Sequence, residues 1–164
     1  MNDGLGKKAE KKIKEWLNKP EEGYCFDRLK DQMTGFYGSD NICDFTLYKK
    51  PYFYYIESKA SYQDRVPWSY LTENQRTKML EKSQIDGVYS IVIVLFATYK
   101  RAFMFQVSDI QKQIDSNKHS VNIKKIDKWT IPYVEIPTVP NNRKELLDYI
   151  GDFDKLVQKL ICHS

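Results

Sequence analysis

DFTLYKKPYFYYIESK, residues 44–59, is the stretch from which the rest of the chain can be placed. Two runs of aromatic and β-branched residues flank Lys49-Lys50-Pro51, the pattern of a β-hairpin. A symmetric turn between Lys50 and Pro51 sets Asp44 opposite Glu57, Thr46 opposite Tyr55 and Tyr48 opposite Phe53. Side chains repeat every second residue along a strand, so Lys59 shares a face with Glu57 and Asp44. Carboxylates opposed across two strands repel, and burial sharpens the repulsion. A divalent cation removes the conflict, because hard oxygen ligands suit Mg²⁺ or Mn²⁺. A lysine beside such an ion can orient a water and stabilise charge building on a phosphate. Asp, a gap and Glu-x-Lys are thus the equipment of a metal-dependent phosphodiesterase. The plain alternative is an edge hairpin whose acids face water, with Lys59 as their partner.

A chain of 164 residues is most simply one domain, able to bury about 70% of its unfolded surface. Its composition, 41% hydrophobic and 29% charged, excludes disordered and low-complexity classes. No apolar run is long enough for a membrane span, and the lysine-rich amino terminus lacks a signal-peptide core. Cys25, Cys43 and Cys162 are odd in number and lack zinc spacing, which fits a reducing cytoplasm, in a bacterial cell or a phage-infected host. The net charge of +4 permits a polyanionic partner without demanding one.

Residues 3–18 have the spacing of an amphipathic helix, with Leu5, Ala9, Ile13, Trp16 and Leu17 on one side and Lys7, Lys8, Lys11, Lys12 and Lys14 over the rest. Glu10 borders the apolar stripe; it either reaches inward over a sheet or pairs with Lys14 at i, i+4. Residues 23–29 fit a first strand. The polar segment 30–41 fits a turn or loop, where Asp40 is a rival acid with a turn role. Residues 60–71 fit a loop that places Arg65 and Trp68 near the sheet's edge. Thr72 is a helix N-cap with Gln75 at N3, a capping box that gives Gln75 a structural explanation. A helix to about Gln84 follows, then VYSIVIVLF (88–96), apolar enough for a central strand covered on both faces. RAFMFQV (101–107) is its antiparallel neighbour, a short helix runs from Ser108 to about Ser116, and 117–139 is irregular around an extended IPYVEI. The close is helical over about 142–161, broken near Gly151, with Leu146, Leu147, Ile150, Leu156, Leu160 and Ile161 toward the sheet. No Gly-rich phosphate loop, nucleophile elbow or His-rich metal site is present, and His119 and His163 fit surface positions.

The order of a helix with Glu, a strand, a strand with Asp, a strand with Glu-x-Lys, a helix and a strand pair resembles the restriction-endonuclease-like (PD-(D/E)XK) nucleases. Within them it resembles the RecU-type Holliday junction resolvases, from about Gly6 to Ile150. Asp44-Phe45 and Ile56-Glu57-Ser58-Lys59-Ala60 are similar to that family's Asp and Glu-Ala-Lys core. VPWSYLTENQ (66–75) is similar to its stretch ending in a glutamine near the active centre, and the IDGVYSIVIVLF and IPYVEI segments fit as well. The resemblance implies a restriction-endonuclease-like α/β core, a central mixed sheet of about five strands flanked by helices. It implies Asp44, Glu57 and the Ser58 carbonyl as metal ligands, Lys59 as the water-orienting residue, Glu10 as a second metal or metal-water contact, and Gln75 as catalytic support. Mg²⁺ is the implied cofactor, with Mn²⁺ as substitute. The implied substrate is four-way junction DNA, and two symmetric cuts call for a homodimer. Phosphate contacts would come from Lys7, Lys8, Lys11, Lys12, Arg28, Lys30, Arg65 and Arg76. Where the family carries a long stalk between first strand and catalytic Asp, only residues 30–41 stand here, as in a compact resolvase of phage or mobile-element type. A duplex-cutting restriction or repair endonuclease and a non-catalytic DNA-binding module of the same fold are the alternatives.

Overall fold

The computed structural model describes residues 4–29, 41–141 and 147–163. The chain runs α1 (Leu5–Leu17), β1 (Tyr24–Arg28), β2 (Phe45–Lys49), β3 (Tyr52–Ser61), β4 (Arg65–Pro67), α2 (Glu73–Ser83), β5 (Val88–Phe96), β6 (Arg101–Gln106) and α3 (Val107–Asp115). It continues through β7 (Ser120–Asn122), β8 (Val134–Ile136), β9 (Thr138–Val139), β10 (Asp148–Tyr149) and α4 (Phe153–Cys162). Six strands make the central sheet in the order β1-β2-β3-β5-β6-β8, mixed because β3 and β5 run parallel while the other neighbours are antiparallel. The expected sheet of about five strands gains β8, the VEI of the IPYVEI segment.

The sheet separates two apolar clusters, and β5 shows why. Ile91, Ile93 and Leu95 belong to one cluster, while Val92, Val94 and Phe96 belong to the other. An apolar run with no polar alternation is what a strand covered on both faces requires. On the first face, Ala9, Ile13 and Trp16 of α1 and Phe153, Val157 and Leu160 of α4 pack over Phe45, Leu47, Tyr54 and Ile56. On the second, Met79 of α2 and Ile110 of α3 join Trp68, Phe103 and Phe105. Trp68 is therefore core, not edge: it is 3% exposed and meets the Phe105 ring edge-on at 5.3 Å. Arg65 is exposed. It sits on β4, which pairs with β7 in a separate two-stranded ribbon.

Two further expectations change. Over residues 147–150, the described part before Gly151, the closing segment is not helical. Asp148 and Tyr149 pair with β9, Ile150 is 42% exposed, and the helix starts only where Asp152 accepts a hydrogen bond from the Lys155 amide. A positive φ of 92° at Gly151 turns the chain there. Leu147 is buried as expected, Tyr149 and Phe153 are buried in place of Ile150, and the inward role given to Leu146 falls outside the described residues. Lys12 is the second change. It is 4% exposed, and its ammonium lies 3.0 Å from Asp148 and 3.2 Å from Glu15, so it is a buried ion-pair member and not part of the solvated face of α1.

Candidate active site

The hairpin register is the expected one. Thr46 pairs with Tyr55, Tyr48 with Phe53, and the last ladder pair is Phe45 with Ile56. One step further, Asp44 stands across from Glu57. On its other side β3 pairs with β5, Glu57 beside Val92 and Lys59 beside Val94. Residues paired in register point to the same face, so Glu57 and Lys59 share the face of Val92 and Val94, the one α2 covers.

Each acid is held differently. Asp44 is half-buried, and its Oδ2 accepts a hydrogen bond from the Ser58 amide at 2.8 Å. The Glu57 carboxylate is 3% exposed; its Oε1 accepts from Lys59 Nζ at 2.9 Å and from Gln75 Nε2 at 3.2 Å. Gln75 reaches it from the first turn of α2, where its own Oε1 accepts from the Thr72 amide at 3.3 Å and Thr72 Oγ1 accepts from the Gln75 amide at 3.2 Å. The capping box and the contact to Glu57 therefore coexist, because one end of the amide caps while the other donates into the site.

Burial and crowding set the electrostatics. Burial, then the charges of Glu57 and Glu10, push the Asp44 carboxyl up to about 7 against the opposing Ser58 amide and Lys59. Burial also raises Glu57, opposed by Lys59 and Gln75. Next door, burial lifts the Cys43 thiol to about 12, which leaves it a packed, unreactive group. Glu57 Oε2 is buried and has no hydrogen-bond partner. An orphaned carboxylate oxygen beside a second half-buried carboxylate is costly unless something positive meets it. The donor set fits a hard divalent cation. In a strand, a residue's N–H and C=O point the same way, so the Ser58 carbonyl shares the side of its amide, toward Asp44.

Glu10 stands apart from this pair. α1 packs on the face opposite Glu57, and the Glu10 carboxylate is salt-bridged to Arg28 at 2.7 Å, touching Asp44 through charge alone. Its partner is thus Arg28 on β1, not Lys14, a contact that no helical spacing announces. Among the described residues no group of three or more His, Cys, Asp or Glu side chains is gathered as a metal centre. Lys7, Lys11, Lys14 and Arg28 line a cavity of about 310 Å³ with Glu10. Lys8 is exposed, Arg65 lies on the ribbon, and Arg76 Nε donates to Gln111 Oε1 at 2.7 Å. Lys30 and Asp40 lie outside the described residues.

A mixed sheet carrying an Asp and a Glu-x-Lys on facing strands, with helices on both sides, defines an α/β protein with a restriction-endonuclease-like core. More particularly, residues 25–155 match the family model described as Recombination protein U, so the chain belongs to the RecU family, the one its sequence resembles. No curated protein matches the chain by sequence. Among solved structures it is similar to Hjc of Archaeoglobus fulgidus, a Holliday junction resolvase from an archaeal hyperthermophile. The identity is 18%, the TM-score 0.46, and the match covers 65% of this chain and 80% of that one.

Proposed function

We propose that this chain is a Holliday junction resolvase, a Mg²⁺-dependent endonuclease that hydrolyses phosphodiester bonds in four-way DNA junctions. The observation that carries the reading is the Asp44–Glu57 pair with its buried, unpartnered Glu57 oxygen, in a member of the RecU family. Asp44, Glu57 and the Ser58 carbonyl would hold the ion, with Glu10 as an outer contact. When bound, Mg²⁺ (Mn²⁺ in its place) supplies Lewis-acid stabilisation of negative charge on the phosphate.

The chain's own residues account for the rest. Lys59 is the exposed member of its ion pair, its side chain 21% accessible against 3% for Glu57. Its ammonium can therefore meet water and a phosphate oxygen while anchored to Glu57, orienting the attacking water and countering charge on the scissile group. Gln75 fixes which Glu57 oxygen faces Lys59, and the Ser58 amide fixes the rotation of Asp44. The exposed cations Lys7, Lys8, Lys11, Arg28 and Arg65 contact backbone phosphates and give binding that weakens as salt rises. Arg76, tethered to Gln111, and Lys30 complete that set. Lys12 makes a weaker case than its helix neighbours, because its ammonium is turned to Asp148 and Glu15. Paired cuts across a two-fold junction call for a two-fold homodimer, which analytical ultracentrifugation tests.

The decisive experiment incubates the protein with a synthetic four-way junction and a duplex of matched sequence, with and without Mg²⁺. Junction-selective, Mg²⁺-dependent nicking that is lost in Lys59→Ala, with junction binding retained, is the expected result. Equal cutting by both proteins refutes the assignment of Lys59, and equal cutting of duplex and junction makes the chain a duplex endonuclease. Among the described residues no helix is long and apolar enough to cross a membrane.

A further inference from the structure

A second cavity, of about 270 Å³, lies under the β4–β7 ribbon. Arg65, Lys118, Lys125 and Lys128 line it together with His119 and Trp129, and among the described residues no acidic side chain does. The contrast with Lys124 is instructive. That lysine, one residue before Lys125, is 2.9 Å from Asp64, which also accepts from Tyr99 Oη at 2.5 Å. Asp64 is thus already engaged, while Lys125, Lys128 and Arg65 are exposed and Lys118 donates to neutral Thr130 Oγ1 at 2.8 Å. Four cations lining one concave surface repel one another, an arrangement that a polyanion relieves.

The wall behind them is rigid. Trp129 Nε1 donates to the Asn122 carbonyl at 2.9 Å, and the ring packs edge-on against Phe103 and Tyr133, each at 5.1 Å. The ribbon is also bound to the site at both ends of its excursion. The chain enters β4 six residues after Lys59, the Trp68 amide donates to the His119 carbonyl at 2.7 Å, and the chain leaves by way of Thr72 to Gln75. Lys59 and Gln75 both bond Glu57, so the basic cavity is tethered on either side to the carboxylate pair.

We propose that this cavity is a second DNA-backbone site, in which Lys118, Lys125 and Lys128 with Arg65 grip successive phosphates of a duplex arm flanking the scissile bond. The proposal rests on DNA being the substrate, and it adds contacts that lie outside both the carboxylate centre and the α1 lysines. Duplex DNA presents a phosphate on each strand every ~3.4 Å of helix axis, a repeat that several clustered cations can meet at once. These contacts set register and orientation without reading sequence.

The test compares binding of a synthetic four-way junction, in chelator so that nothing is cut, across a salt series. The variant is Lys118→Gln/Lys125→Gln/Lys128→Gln, and the control Lys19→Gln/Lys155→Gln/Lys159→Gln removes the same charge elsewhere. Each phosphate contact contributes about one unit to the slope of log K against log salt. The cavity variant is therefore expected to flatten the slope by about three and the control to leave it unchanged. A slope like that of the unsubstituted protein, or the same flattening in the control, overturns the proposal while leaving junction cleavage intact as a reading. An unsubstituted protein that binds neither junction nor duplex overturns both. Poly-glutamate that binds through these lysines while DNA binding is unaffected overturns it in favour of an acidic protein partner. Should loss of the Thr130 contact disturb folding, seen as a lowered urea midpoint, Lys125→Gln/Lys128→Gln carries the same test with an expected change of about two.

Discussion

Gln75 does two jobs with one side chain, and two substitutions pull them apart. Its Oε1 caps α2 and its Nε2 donates to Glu57. Gln75→Ala loses both, although Thr72 Oγ1 still accepts the backbone amide of residue 75. Losing the reciprocal half of the box on an exposed helix end costs about 0.5 kcal/mol. Losing a donor to a carboxylate that is 3% exposed costs about 1.5–3 kcal/mol. The expected total is about 2–3.5 kcal/mol. Gln75→Glu keeps the cap, and its charge in the first helical turn adds about 0.3–1 kcal/mol of stability. It also sets a carboxylate against Glu57, where Gln75 now lies at 3.2 Å. At that separation, an effective dielectric near 20 gives a repulsion of up to ~5 kcal/mol. The new side chain swings away, leaving Glu57 Oε1 with Lys59 alone.

The two explanations of Gln75 thus predict opposite signs. If it only caps the helix, Gln75→Glu equals or exceeds the unsubstituted protein in stability. If it holds Glu57, that variant loses about 1–2 kcal/mol despite the better cap, and junction cleavage falls about 10- to 100-fold, as for other residues that orient metal ligands. Urea unfolding of the three proteins in chelator, followed by single-turnover cleavage, reads both quantities. A Gln75→Glu protein that is fully stable and fully active refutes the supporting role.

Three further outcomes follow from the same structure. Mg²⁺ or Mn²⁺ at a hundred times its dissociation constant raises folding stability by about 2.7 kcal/mol, an increase that calorimetry should find absent in Asp44→Asn. Met79→Ala, at a position with no exposure where α2 meets the sheet, should lower stability by about 2–5 kcal/mol by urea unfolding, with the loss growing with the cavity left behind. Asp64 is held below the usual carboxylate range by hydrogen bonds from Tyr99 and Lys124. Its contribution is complete above the unfolded value of 3.8 and lost as pH falls through the lower folded value. A urea-midpoint profile between about pH 5 and pH 2 should therefore be flatter for Asp64→Asn.

How far the sequence could be read depended on how local each cause was. The Asp44–Glu57 register followed from a period of two and a two-residue turn, both contained within sixteen residues, and Gln75 was visible as a capping partner for the same reason. The edges were harder. Leu147 and Ile150 have helical spacing, but pairing between β9 and β10 outweighs that propensity and exposes Ile150. β8 contributes only three residues to the sheet, too few for periodicity to declare them. Lys12 was misread because its partner Asp148 lies 136 positions away, and charge pairs at that range leave no local pattern. Glu10 was visible as an unusual residue on a helix border. That Arg28 would hold it depended on how α1 docks beside β1.

The location of Asp44 follows from an account of hydrogen bonds. β3 is an inner strand, paired with β5 through Ser61, but its ladder with β2 stops at Ile56. Beyond that point the Ser58 amide faces the side where β2 has ended, and a buried amide needs an acceptor. Asp44 Oδ2 supplies one, so the acid is tied to the backbone at the place where the sheet stops pairing with itself. This has a consequence for substitutions. Asparagine at 44 can still accept from Ser58 through its amide oxygen, and it removes the charge that crowds Glu57. Asp44→Asn should thus fold at least as well as the unsubstituted chain in chelator while losing the ion. An alanine there leaves the Ser58 amide unpaired and costs about 1–3 kcal/mol besides. On the proposed function, the crowding that Asp44→Asn relieves is the same crowding a bound cation would relieve, so the variant gains in chelator what the unsubstituted chain gains from the ion.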